Sequence, residues 1–195
     1  YLSKPYPFYL AYAIESEPEN LGDVRDWSIE HKWDGIRSQT IIRYGEVYLW
    51  SRGEELITDK YPEFQAFVNV LPDGTVIDGE ILPYKDGRIG TFGDLQTRIG
   101  RKTITKALLQ KTPVIIRAYD LLEWQGKDIR NHPYEERRQL LEELYDAVKD
   151  LGLPLQLSER FDMESWEAVT KERMKARELN SEGLMLKRKK SLYLV

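Results

Sequence analysis

The stretch Glu30-His31-Lys32-Trp33-Asp34-Gly35-Ile36-Arg37 sets one lysine between two carboxylates and returns an arginine after an Asp-Gly turn. On an extended strand, Glu30 and Lys32 point to one side, and Ile29, His31 and Trp33 to the other. These residues form a mixed-charge cluster that reads equally as a salt-bridged surface strand or as a lysine held for reaction. Related strings follow in order: SRGEE at 51–55, IDGE at 77–80, YDLLEWQG at 119–126 and EGLMLK at 182–187. Their recurrence favours chemistry. The chain has no cysteine, which excludes disulfides, cysteine–zinc sites and thiol catalysis, and only two histidines, too few for a histidine-rich metal centre.

The elements that must carry these strings are mostly strands. WSIEHKWDG alternates and ends at the Asp34–Gly35 turn; GIRSQTIIRYGEVYLWSR reads as a hairpin turning at Tyr44–Gly45. TVIDGEIL and VIIRAYDLL are further strands, GLMLKR is the last, and Leu10–Ile14 is expected to be an entry strand. Phe64, Phe67, Val68 and Leu71 share one face of a short helix. Pro133 opens a helix with the stripe Leu140, Leu141, Leu144 and Val148; another is expected from Asp162 to Asn180, with Trp166, Val169 and Ala176 inward. Strands without regular strand–helix alternation predict an α+β domain with mainly antiparallel β-sheets flanked by helices.

Length and composition agree. The 195 residues, 41% hydrophobic and 32% charged, suit a folded domain. No apolar stretch approaches the ~20 residues that a membrane span needs, so no membrane partner is expected and a cytoplasmic location fits. The opening YLSKPYPFYL has neither an initiator Met nor a signal pattern, and reads as a piece of a longer protein: residues 1–9 as a linker or the end of a preceding segment, 10–195 as one domain. Net charge is −4, but residues 98–111 carry Arg98, Arg101, Lys102, Lys106 and Lys111 with no acid, and residues 171–190 carry eight bases against three acids. Such faces permit a polyanion partner. A single charge run is more often ordinary solvated surface, so the pattern does not require such a partner.

The ordered set KWDGIR, SRG, DGE, YDLL and EGLMLK resembles the signatures of covalent nucleotidyltransferases, most closely the adenylation domain of bacterial-type ATP-dependent DNA ligases, over about Leu10 to Lys187. The resemblance implies a nucleotide cleft between antiparallel sheets. It makes Lys32 the nucleophile that attacks the α-phosphate of ATP, giving lysyl–AMP. A free lysine, with a pKa of about 10.4, is protonated near neutrality and cannot attack. Neighbouring cations (Mg²⁺, Arg37 and Lys187 are the candidates) would therefore have to lower it. The resemblance further implies that Glu30 bonds the adenine amino group and that Arg37 and Arg52 hold ribose and phosphate. Tyr119 and Met185 would close on the two faces of adenine, Lys187 would reach the α-phosphate, and Glu80 and Glu182 would hold Mg²⁺. Asp34 is expected to shape the turn or orient the amine. Strict alternation places Glu182 on the face opposite Gly183, Met185 and Lys187, unless Gly183 twists the strand or Glu182 precedes it.

The partners implied are nicked double-stranded DNA, met by the basic stretches at 98–111 and 187–190, and a C-terminal OB-fold domain. A further lysine-rich signature expected after EGLMLK is absent, as is the OB-fold. The chain alone is therefore expected to bind nucleotide and self-adenylate weakly rather than seal nicks. The alternatives are an RNA ligase or capping-type nucleotidyltransferase, or a non-catalytic module that binds nucleotide or DNA ends. NAD-dependent ligases are disfavoured, because nothing resembles their four-cysteine zinc module.

Overall fold

The computed structural model describes residues 3–194. In chain order the elements are β1 (Trp27–Trp33), β2 (Ile36–Arg43), β3 (Glu46–Ser51), β4 (Thr75–Lys85), β5 (Arg88–Ile89), α1 (Phe92–Ile99), α2 (Lys106–Lys111), β6 (Val114–Trp124) and β7 (Lys127–Asp128). Then come α3 (Tyr134–Val148), β8 (Leu155–Leu157), β9 (Arg160–Phe161), α4 (Trp166–Arg173) and β10 (Ser181–Arg188). The strands form two sheets. A seven-stranded sheet runs β3-β2-β4-β6-β7, with β5 on β4 and β8 on β6; a three-stranded sheet runs β10-β1-β9. Among these pairings only β6 with β8 is parallel. The α+β expectation holds.

Local chemistry explains the frame. The β2–β3 turn has φ of 56° at Tyr44 and 72° at Gly45, the primed geometry that matches strand twist. The Asp73 carboxylate fastens it by accepting both turn amides at 3.1 Å. β4 and β6 lie centrally and bury both faces over most of their length. The main core packs Ile77, Ile81, Ile116 and Leu121 against Phe64, Phe67 and the α3 stripe of Leu141, Leu144 and Val148.

Several sequence expectations are corrected. Residues 10–14 form no strand and are exposed. Pro62–Phe67 is a 3₁₀ helix rather than an α-helix, because Val68 is already extended and Asn69 takes a φ of 68°; Phe64, Phe67 and Leu71 are nevertheless buried. α4 is shorter than 162–180, since the Ser165 side chain, not Asp162, caps it, and it ends at Arg173. Two unanticipated helices, α1 and α2, occupy most of 92–111, capped by the hydroxyls of Thr91 and Thr105. Within that basic stretch Arg98 is wholly buried and paired with Glu63 at 2.6 Å, so it is a structural cation rather than a surface one.

Candidate active site

Lys32 lies at the end of β1, beside the start of β10. Residues opposite one another on these strands share a face, so Ser28, Glu30 and Lys32 lie with Lys187, Met185 and Gly183. The other face, with Ile29, Leu184 and Leu186, packs on Val169 of α4. The register then slips: Lys32 is opposite Gly183 but Trp33 is opposite Ser181, leaving Glu182 in a bulge. Gly183 has a φ of 137°, open to glycine. This resolves the alternation problem, because the local twist brings Glu182 Oε2 to 3.5 Å from Lys32 Nζ. Both side chains are about half exposed, at 55% and 45%.

The seven-stranded sheet contributes the next layer. Arg37 is opposite Glu80 across β2 and β4. The Arg37 guanidinium donates to both oxygens of Asp78, at 3.2 and 2.8 Å, and to the Tyr193 hydroxyl at 3.3 Å. Burial pulls its pKa down, but the Asp78 carboxylate more than offsets this, so Arg37 stays charged. The Glu80 carboxyl is pushed up to about 8, first by burial, with the charges of Asp78 and Glu182 adding to it against the Tyr119 hydrogen bond and Arg37. Tyr119 donates its hydroxyl to Glu80 Oε1 at 3.0 Å, and burial raises the phenol well above its ordinary value. Gly35 allows β1 to turn onto this layer: a Cβ there would lie 2.2 Å from the Ile81 carbonyl oxygen.

Lys187 joins the two sheets. Its ammonium lies 4.9 Å from the Tyr119 ring centre, 5.2 Å from that of Tyr134, and 2.7 Å from Glu30 Oε2. Glu30 is wholly buried, accepts the Tyr134 hydroxyl at 3.0 Å, and faces Arg138 at 3.6 Å.

The structure therefore brings together Lys32 with Glu182, Glu80 with Tyr119, and Glu30 with Lys187, with Met185 on the same face of the small sheet. Arg52 is exposed beyond β3, held through its amide to the Arg37 carbonyl at 3.1 Å. Asp34 is exposed at its turn. The cations expected to depress the lysine are engaged elsewhere, Arg37 by Asp78 and Lys187 by Glu30; the group beside the amine is an acid. Sequence reasoning passed over Asp78, Tyr134, Arg138 and Tyr193. Asp78 carried a signal, since period two places it on the Glu80 face; the other three did not. Among the described residues no three His, Cys, Asp or Glu side chains converge to hold a metal ion, and no helix is long and apolar enough to cross a membrane.

The sequence model of the family described as "ATP dependent DNA ligase domain" matches residues 9–195. A probable DNA ligase of Koribacter versatilis is 33% identical over 144 residues, covering 74% of this chain and 25% of that protein. A DNA ligase of Thermoplasma volcanium is 29% identical over 188 residues, 94% of this chain and 31% of that one. The chain thus spans about a third or less of the length of these relatives. Among solved structures, a mycobacterial DNA ligase D complexed with ATP and MES superposes with a TM-score of 0.68 at 30% identity, over 88% of this chain and 51% of that one. The Chlorella virus DNA ligase-adenylate, with a TM-score of 0.69 at 15% identity over 98% of this chain and 64% of that one, shares the fold. These relatives do not favour the RNA ligase, capping or non-catalytic alternatives.

Proposed function

This chain belongs to the ATP-dependent DNA ligase domain family, and from that membership we propose that it is an adenylation domain in which Lys32 takes AMP from ATP. The observation that carries the reading is the place of Lys32 Nζ: half exposed, 3.5 Å from Glu182, on the sheet face it shares with Met185 and Lys187. The facing sheet presents Glu80, Tyr119 and Arg37.

In this reading the neutral Lys32 nitrogen bonds to the α-phosphorus while the bond from that phosphorus to the bridging oxygen breaks. Pyrophosphate leaves, and the nitrogen releases a proton to the solvent it already meets. Glu182 orients the amine and Arg52 meets phosphate. Tyr119 and Met185 sandwich the adenine once Lys187 leaves the Tyr119 ring and turns to the α-phosphate, and Glu30, released from Lys187, accepts from the adenine amino group. Arg37, held flat by Asp78, meets the ribose. Alignment and charge do most of the work in such transfers.

A divalent cation fits the carboxylates. Burial and the charges of Asp78 and Glu182 raise the Glu80 carboxyl, and a divalent cation beside it would offset both. Glu80 and Glu182 would hold Mg²⁺, with phosphate and water completing the shell, and the ion would neutralise charge on the phosphates. In the parent protein AMP would pass to a 5′-phosphate at a nick in duplex DNA, and the 3′-hydroxyl would displace it. The exposed Arg101, Lys102 and Lys106 would rest on the DNA backbone, and an OB-fold domain would complete the grip.

Intact-mass measurement tests the reading. Incubation with ATP and Mg²⁺ is expected to add one AMP, GTP should not substitute, and Lys32→Ala and Lys32→Arg should abolish the addition, since a guanidinium keeps its proton. AMP addition that survives Lys32→Ala would dismiss this assignment.

A further inference from the structure

On the far side of β1 from the proposed site, His31 is buried against α4, with its ring edge-on to Phe161 at 5.8 Å. Both ring nitrogens are engaged: Nε2 lies 2.9 Å from Glu172 Oε1 and Nδ1 lies 2.9 Å from Ser181 Oγ. Glu172 is nearly buried and is held on its other oxygen by Lys175 at 3.1 Å. The His31 hydrogen bond keeps its carboxyl below the usual carboxylate range, with Lys175 acting in the same direction.

A Ser–His–Glu series suggests a hydrolytic triad, but the serine is spent otherwise. Its hydroxyl donates to the Gly183 carbonyl at 2.8 Å and accepts the Gly183 amide at 3.2 Å. Those two bonds close a loop across Glu182, the residue the strand register skips. The loop is anchored on its N-terminal side: the Ser181 amide donates to the Ala176 carbonyl at 2.8 Å, and the Asn180 side chain donates to the Ile89 carbonyl of β5 at 3.0 Å.

We infer that His31 is a positioning residue for the neighbouring lysine: through Ser181 it holds the bulge that sets Glu182 against Lys32. Lys32 and its positioning residue are thus consecutive in sequence and act from opposite faces of one strand. The inference rests on the reading of Lys32 as the nucleophile.

The test compares lysyl–AMP formation by the parent protein, Ser181→Ala and Ser181→Thr, with a crystal structure of Ser181→Ala. Loss of the hydroxyl is expected to slow formation at saturating ATP by about tenfold or more while KM for ATP stays within about twofold. Threonine, which keeps the hydroxyl, should restore the rate, and the alanine variant should show the Glu182 carboxylate withdrawn from Lys32. If Ser181→Ala does not fold, His31→Gln, which cannot bond both partners at once, should show the same loss at unchanged KM. A variant that matches the parent's rate, or a Ser181→Ala structure with the bulge intact, overturns the inference. A parent protein that takes up no AMP overturns instead the reading of Lys32.

Discussion

Lys187 Nζ lies 2.7 Å from Glu30 Oε2, an ion pair whose acid is wholly buried and whose base is 21% exposed. The same ammonium covers the Tyr119 ring. In the proposed reading an adenine stacks on that face only after Lys187 swings off it, so nucleotide entry and release of Glu30 would be a single event.

Lys187→Ala should therefore destabilise the fold as well as impair adenylation. Leaving a buried carboxylate without its strongest partner costs about 2–4 kcal/mol, moderated here by Tyr134 and Arg138. Urea unfolding measures it, and a loss below about 1 kcal/mol would show that Glu30 does not depend on Lys187.

Glu80 should write a pH dependence into stability. Its carboxyl titrates at about 8 when folded and in the ordinary carboxylate range when unfolded. Between those values the unfolded chain has released a proton that the folded chain keeps, so stability falls as pH rises and levels off above about 8. Glu80→Gln should flatten that slope and add stability on the order of 2–4 kcal/mol at pH 8. Unfolding curves collected from pH 5 to pH 9 decide it; parallel slopes for the two proteins would remove the buried acid from the account.

Tyr119 separates stacking from hydrogen bonding. Tyr119→Phe keeps the ring and loses the bond to Glu80, so affinity for a non-hydrolysable ATP analogue should hold within about threefold. Tyr119→Leu loses the stacking face and should weaken binding by about 1–3 kcal/mol. Calorimetric titration of both variants checks this, and equal affinities would return Tyr119 to a packing role.

Gly35→Ala should be among the costliest single-methyl changes in the chain. The added carbon would sit 2.2 Å from a backbone oxygen of β4, which cannot give way without parting β2 from β4. A loss of about 3 kcal/mol or more is expected in thermal or urea unfolding. A variant as stable as the parent would mean the turn has room that the structure does not show.

Much of this was legible in advance, for a physical reason. Period-two alternation and turn residues are local, so β1, the β2–β3 hairpin, β4, β6 and β10 could be read off the chain, as could the α3 stripe. What failed depended on competition between local preference and distant packing. Phe64 and Phe67 were correctly placed in the core, but Pro62 and the extended Val68 kept their segment 3₁₀. Leu10–Ile14 has strand-like residues but no neighbouring strand to pair with, and Ser165 rather than Asp162 met the free amides of α4. Arg98 looked like part of a basic surface because its partner, Glu63, is 35 residues away in sequence.

By itself the sequence determined which side chains could react, their order, and the strands that display them, because alternation and turns act over a few residues. Only the tertiary structure decided who touches whom. It gave Arg37 to Asp78, Lys187 to Glu30, and Glu182 to Lys32. Those choices depend on sheet register and on one bulge, and register is set where strands far apart in the chain bury their faces against each other.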